Sequence, residues 1–324
     1  MQLVSVGEAL IDMMSLPVDE KDACHLSYKA CAGGAPANVA VAVAKLGGKS
    51  ALVSKLGDDQ FARFICKELT RYGVELSSTR LCKKSKTAVA MVSFDEDNER
   101  SFDFYLENAA HTRLRATDVA SELFCSQSLF HFCSGSVAIP ELEEQTNLII
   151  QTIRQTGALI SLDINYRPAF WQDTQQAPNK ILKLAEQSDV VKASRDELID
   201  LYGAEQVEQL INQWAAKGIL VLLTNGPHAV EYIYDKFSGK RTTPKVTAQD
   251  TTAAGDSFIG GFLYQAISQS EQADDLKNWL SDHKNLVSAI DFATRCGAHT
   301  VTQVGSFSAL PRLHNIQHPM AVSA

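Results

Sequence analysis

Apolar and polar positions along this chain follow two different rhythms. From Leu114 onward, short and almost unbroken apolar runs alternate with segments whose apolar residues recur every three or four positions. The runs Ser128-Leu-Phe-His-Phe-Cys133, Ala158-Leu-Ile-Ser-Leu-Asp163, Val190-Val-Lys-Ala-Ser194 and Ile219-Leu-Val-Leu-Leu-Thr224 read as strands covered on both faces. Segments 141–155, 180–187, 197–202 and 207–217 read as helices between them. This succession of βαβ units predicts an α/β fold, a mostly parallel sheet with helices on both faces. Near the start, Gln2-Leu-Val-Ser-Val6 predicts a first strand ending just before Asp12, and Val39 to Gly47 a helix.

A second rhythm interrupts the first. Thr87-Ala-Val-Ala-Met-Val-Ser-Phe94 and Phe102-Asp-Phe-Tyr105 are extended runs separated by the polar stretch Asp95-Glu-Asp-Asn-Glu-Arg100. With 13–31 they predict a small inserted β-sheet. The domain assignment is therefore 1–12, 32–86 and 109–324 for the core, and 13–31 with 87–108 for a lid. Met13, Met14, Val89, Met91, Phe102 and Phe104 give that lid more apolar side chains than one ligand-facing side can use. A homodimer through the lid is the expectation.

Composition narrows the class without changing this picture. The 324 residues are 45% hydrophobic and 21% charged, enough for one large α/β core. A net charge of −8 without a basic stripe argues against nucleic acid as a partner. The chain contains no apolar run of 18 residues, and its start enters a strand pattern at once, so neither a membrane span nor a leader is expected. Cysteines 24, 31, 66, 82, 125, 133 and 296 include no C-x-x-C spacing, which predicts reduced thiols and a cytoplasmic protein.

Chemistry concentrates in Gln249-Asp-Thr-Thr-Ala-Ala-Gly-Asp-Ser-Phe-Ile-Gly-Gly-Phe262. Asp250 closes an extended segment, Thr251 and Thr252 can cap, Ala253, Ala254 and Gly255 carry almost no side chain, and an apolar helix begins beyond them. The free N–H groups at such a helix start form an anion hole that small residues leave open to a phosphate. Asp256, in the first turn, could accept a proton from an attacking hydroxyl there. Taken alone, such an acid merely favours its helix dipole. Other polar groups end the predicted strands: Asp163-Ile-Asn165-Tyr-Arg167, then Lys192 with Ser194 to Glu197 at capping-box spacing, then Thr224-Asn-Gly226. Gly33, Gly34 and Asn38 precede the first helix and suit close approach of a polyol. Gly48-Lys49-Ser50 echoes a P-loop, but Val43 stands where its first glycine belongs.

Asp250-Thr-Thr-Ala-Ala-Gly-Asp256 resembles the C-terminal signature of the ribokinase-like (PfkB-type) sugar kinases, with Ala253 where Gly is commonest. Gly33-Gly-x-Pro-x-Asn38, Gly47 and Gly57-Asp-Asp59 resemble the N-terminal one. Two separated signatures in order, and a resemblance over nearly the whole chain, imply a ribokinase-like fold with a β lid and an ATP-dependent sugar kinase. Asp163-x-Asn-x-Arg-x-x-x-Trp171 looks like a segment shared by fructokinases and 2-keto-3-deoxygluconate kinases. A fructokinase is the first reading; the alternatives are 2-keto-3-deoxygluconate, ribose or a nucleoside as acceptor, or a non-catalytic sugar sensor. The resemblance implies Asp256 as base, with Ala253, Ala254, Gly255 and Arg167 around the transferred phosphoryl group. It implies sugar contacts from Asp12, Gly33, Gly34, Asn38, Tyr105 and Arg167, and nucleotide contacts from Asn165, Lys192, Glu197, Thr224, Gly226, Ala254 and Gly255. Glu197 would hold Mg2+ through water, and Asp250, Thr252, Thr300 and Gly305 match a site for K+ or another monovalent cation. Ser194 stands where the family has Asn, and Leu106 replaces an Arg used by some relatives against acidic substrates, which favours a neutral sugar. The apolar segment 286–298 is expected to wall the adenine. Ala253 leaves two possibilities, an ordinary negative φ or a reshaped nest.

Overall fold

The computed structural model describes residues 1–16, 25–94 and 100–317. Residues 17–24 of the predicted lid, Cys24 among them, residues 95–99 of the polar stretch and residues 318–324 lie outside the described residues.

Strands β1 (Gln2–Val6), β2 (Leu10–Ser15) and β3 (Tyr28–Gly33) precede helix α1 (Ala35–Lys45). Then come β4 (Ser50–Gly57), α2 (Gln60–Arg71), β5 (Thr79–Cys82), β6 (Ala88–Phe94) and β7 (Arg100–Tyr105). The alternating half follows as β8 (Ser128–Cys133), α3 (Pro140–Thr156), β9 (Leu159–Asp163), α4 (Ala177–Ala185), β10 (Val190–Ser194), α5 (Arg195–Tyr202), α6 (Ala204–Ala216) and β11 (Leu220–Thr224). A hairpin of β12 (Val230–Tyr234) and β13 (Phe237–Arg241) leads to α7 (Ala254–Ser268), α8 (Ala273–Leu280), α9 (His283–Thr300) and α10 (Leu313–Gln317).

The large sheet runs β13-β12-β11-β10-β9-β8-β1-β4-β5, parallel except at the β12–β13 hairpin edge. The chain leaves β1 for β4 on one side and returns to β8 on the other, so a crevice opens where the order reverses, at the carboxyl ends of the strands. Strands β8 and β9 are buried at every position, which is why they read as continuous apolar runs. One layer of α3, α4, α5 and α6 covers one face; α1, α7 and α9 cover the other.

The second sheet is ordered β3-β2-β6-β7. Its first strand begins at Leu10, so Asp12 lies inside a lid strand opposite Cys31 and Ala90, where the sequence had suggested a loop of the core. The alternation then sorts the six apolar residues expected on an outer surface. Met14, Phe102 and Phe104 share the Asp12 face, while Met13, Val89 and Met91 lie on the other. Met13 and Val89 pack against a cluster that includes Ile65 and Leu69 of α2. Asp59 ties the sheet to the core: it caps α2 through Ala62 N (2.9 Å) and accepts from both the amide (2.9 Å) and the hydroxyl (2.8 Å) of Thr87, just before β6.

Candidate active site

Helix α7 is placed by its glycines. A Cβ on Gly260 would lie 2.6 Å from Ala42 Cβ of α1, and one on Gly261 2.7 Å from Cys296 Sγ of α9. Only backbone this bare lets the three helices pack so closely, and their contact drives the N-terminus of α7 into the crevice. At that end Thr252 N donates to Asp250 Oδ1 (2.7 Å), and Ala253 turns the chain with φ 58° and ψ 12°. The negative-φ possibility for Ala253 is thus excluded: an alanine holds the left-handed geometry that glycine adopts freely, at a cost of about 1–2 kcal/mol. Ala254 N donates to Thr251 O (3.3 Å), so the first-turn amides of Gly255 and Asp256 are the ones helix geometry leaves for an anion.

Asp256 is buried and accepts a 2.7 Å hydrogen bond from Asn38 Nδ2, a residue on the buried face of α1. Burial, reinforced by the charge of Asp163, pushes its carboxyl up to about 6, against the opposing pull of Asn38, Lys192 and Arg167. Beneath the loop, Lys192 Nζ reaches both oxygens of Asp163 at 2.9 and 3.0 Å. Burial opposes the charge of Lys192, but Asp163 and then Glu197 outweigh it and hold the ammonium protonated. A Cβ on Gly255 would come within 2.9 Å of that nitrogen, so a cation sits directly behind the first-turn amides.

A cavity of about 960 Å³ runs from this point between the two sheets. Asp12, Gly34 and Asn38 line its lid end; Asn165, Arg167, Lys192, Glu197 and Thr224 line the strand ends; Asp250 and 252–256 close the middle. Arg167 is half exposed, donates to Tyr166 O (3.0 Å) and lies 3.6 Å from Glu197 Oε1. Glu197 forms the expected capping box, its Oε2 accepting from Ser194 N (2.8 Å) while Ser194 Oγ accepts from Glu197 N (3.1 Å). One carboxylate oxygen is therefore committed to α5, and the other is the one beside Arg167.

Several expected residues do not reach the cavity. Tyr105 is 67% exposed and sits on the face opposite Phe104, because neighbours along a strand point in opposite directions. Phe102 and Phe104 line the cavity in its place. Gly226 lies beyond the strand end in a turn with φ 51°. Gly33 stands behind Asp12: a Cβ there would lie 2.2 Å from Asp12 Oδ2. Thr300 Oγ1 donates to Ser257 Oγ (2.8 Å) in the core, and Gly305 N donates to Asp250 Oδ2 (2.8 Å). The apolar face of α9, expected to wall a nucleotide base, is spent on α7, and none of its residues lines this cavity.

Three groups escaped the sequence reading. Glu8, just past β1, is buried in the cavity wall, and burial pushes its carboxyl up to about 7, with Asp256 adding to the rise. The Gly7-Glu8 pair at a strand end was its only signal. Phe170 packs edge-on to Phe104 with ring centres 5.0 Å apart, and Ser306 Oγ donates to Asp12 Oδ2 (2.8 Å).

A strand-end crevice with a bare helix start, a buried carboxylate beside it, a cation behind it and a second sheet across the opening defines a phosphotransferase that works on a small polar acceptor. The pfkB family carbohydrate kinase profile matches residues 1–313, and the chain belongs to that family. It is a sugar kinase, a phosphotransferase with an alcohol group as acceptor. Fructokinase-1 of Zea mays is 35% identical over 311 residues, covering 95% of this chain and 94% of its own. The crystal structure of fructokinase with bound ATP from Xylella fastidiosa superposes with a TM-score of 0.90 at 35% identity, covering 98% of this chain and 97% of that one. A fructokinase double mutant from Vibrio cholerae O395 in fructose, ADP and potassium ion bound form gives 0.85 at 30% identity, with 98% of each chain covered. A ribokinase-like fold, a large mostly parallel sheet with a smaller separate one, is common to them.

Proposed function

We propose that this chain is an ATP-dependent fructokinase, converting ATP and D-fructose to ADP and D-fructose 6-phosphate. The observation that carries the reading is the position of Asp256, buried at the cavity beside the first-turn amides of α7 and held by Asn38 from a helix 218 residues earlier in the chain. The Asp256 carboxylate takes the proton of the 6-hydroxyl as its oxygen bonds to the γ-phosphorus, and the bond to the bridging β-γ oxygen breaks to release ADP. The amides of Gly255 and Asp256, with the Lys192 ammonium behind them, face the charge of the transferring group. Arg167, with its planar fork, orients the phosphoryl group or the sugar. Asp12, Gly34 and Asn38 hold the hydroxyls, and Asn165, Glu197 and Thr224 line the nucleotide side.

Mg2+ fits this donor set as an ion carried by the nucleotide. Among the described residues no group of three or more His, Cys, Asp or Glu could hold a metal, and Glu197 offers one oxygen towards the cavity. Bound to phosphates and water, the ion would neutralise their charge, with Glu197 ordering a water. For a monovalent cation, the loops at 249–252 and 301–305 are held face to face by Gln249 N (2.7 Å) and Asp250 N (3.2 Å) donating to Val301 O. The hard oxygens of Asp250, Thr252, Thr300 and Gly305 suit K+ there. The fructose, ADP and potassium bound relative supports the monovalent-cation assignment.

The small sheet of β2, β3, β6 and β7 acts in this reading as the lid, and its outer face around Met91 as the surface of a homodimer. Light scattering of Met91→Asp at micromolar concentration should show a shift towards monomer; an unchanged dimer would remove this face from the interface. The reaction itself is tested by ADP production with a panel of fructose, ribose, 2-keto-3-deoxygluconate and nucleosides. Fructose should give the highest kcat/KM. Absence of turnover with every sugar, with binding intact by calorimetry, would point to a sensor.

A further inference from the structure

Asp12 stands on a strand of the small sheet and Asp256 in the first turn of α7, yet an acceptor bound by one must present its hydroxyl to the other. Their relative position is set by a loop near the end of the chain. Gly305 N donates to Asp250 Oδ2 (2.8 Å), and Asp250 Oδ1 in turn accepts from Thr252 N (2.7 Å) at the head of α7. The next residue, Ser306, is 1% exposed and donates its hydroxyl to Asp12 Oδ2 (2.8 Å). Gly33 makes the pair possible, since a Cβ there would lie 2.2 Å from Asp12 Oδ2 and 3.2 Å from Ser306 Oγ. The loop is also pinned from behind, where Lys45 Nζ donates to Phe307 O (3.0 Å) and Ser308 O (3.1 Å).

We infer that Ser306 is a positioning residue for the acceptor: its hydroxyl fixes the rotamer of Asp12, and the Gly305-Ser306 step holds the lid strand that carries the sugar acid in register with the phosphoryl-transfer loop. This rests on the reading of Asp12 as a sugar ligand. A carboxylate held by a buried hydroxyl has fewer side-chain orientations open to it, so less freedom is lost when the sugar arrives. Hydrogen bonds to charged groups are the stronger ones, so removal of this bond should be felt as weaker sugar binding.

Steady-state kinetics on the full-length enzyme separate the possibilities. Ser306→Ala should raise the fructose KM by roughly tenfold, with the ATP KM and kcat within about twofold. Asp12→Asn should raise the fructose KM at least as much, and adding Ser306→Ala to it should change the KM by less than about twofold, because the hydroxyl acts through the carboxylate. Ser306→Cys, close in volume and a weak donor, should fall between wild type and Ser306→Ala, and serves if the alanine variant is unstable. An unchanged fructose KM in Ser306→Ala, while Asp12→Asn is impaired, would overturn the inference and leave the sugar site intact. The same penalty on both backgrounds would also overturn it, placing the effect in the loop alone. An Asp12→Asn enzyme with normal fructose KM would overturn the reading of Asp12 beneath it.

Discussion

Two buried aspartates beneath the same loop are treated in opposite ways. Asp163 is bracketed by the Lys192 ammonium at both oxygens, and its charge is cancelled where it lies. Asp256 has a neutral amide, Asn38, and a more distant share of Lys192 and Arg167, so burial leaves its proton affinity raised. The cancelled acid holds a cation under the first-turn amides of α7. In the mechanism we propose, the uncancelled one gains a proton during the reaction. Geometry alone would make the two look alike; the difference lies in what neutralises them.

Removing the uncancelled charge should have the largest effect. Asp256→Asn keeps the shape of the crevice and loses the proton acceptor, so kcat should fall by roughly 10²–10⁴-fold in the ADP-release assay with fructose affinity little changed. Because a buried charge disappears with it, the same variant should be more stable than wild type to denaturant at pH 8. Breaking the cancelled pair should do the reverse. Lys192→Met strands the Asp163 carboxylate and should cost about 3–5 kcal/mol of stability, read as a lower urea midpoint. It also deletes a charge that holds Asp256 down, so the acid limb of its pH profile should move to higher pH.

The comparison has a pH signature of its own. With Asp256 near 6, kcat/KM should be half-maximal at about pH 6 and fall roughly tenfold per unit below it. Stability runs the other way. A carboxyl raised on folding contributes stability that is fully present below its unfolded value and is lost as pH rises through the folded one. For Asp256 that window runs from about 4 to 6, and for Glu8 to about 7. The gap in melting temperature between Asp256→Asn and wild type should therefore widen from pH 5 to pH 8, and a constant gap would count against an uncancelled charge. The smallest effect concerns the loop that presents Asp256. Ala253→Gly should relieve the left-handed strain and raise stability by about 1 kcal/mol in denaturant titrations.

How much of this was legible follows from the range of the forces involved. The runs at Ser128–Cys133 and Val190–Ser194 are strands with the bounds the pattern gives, because a strand covered on both faces must be apolar throughout. The capping box at Ser194 and Glu197 was legible too, being a contact over three residues. Strand β4 and helix α2 were not singled out, although Gly57-Asp-Asp59 between them was. Its work, tying α2 to the start of β6 through Thr87, spans 28 residues. Tyr105 was misplaced by a single step of strand alternation, and Ala253 offered no sign of its left-handed geometry. The pairing of Asp12 with Ser306 had no local signal, since each is an ordinary loop or strand residue until the chain closes on itself over 294 positions.

That last contact has a consequence for how the molecule is made. Strand β1 is wedged between β4 and β8, so the centre of the large sheet cannot assemble until about residue 133 has left the ribosome, and Asp12 waits far longer for Ser306. Synthesis proceeds at roughly 5–20 residues per second and domains tend to form as they emerge. A nascent chain would thus spend many seconds with Asp12 made and Ser306 not yet joined to it. With Asp12 as the proposed sugar ligand, a chain cut short before Ser306 would carry the whole phosphoryl-transfer loop yet grip its acceptor loosely.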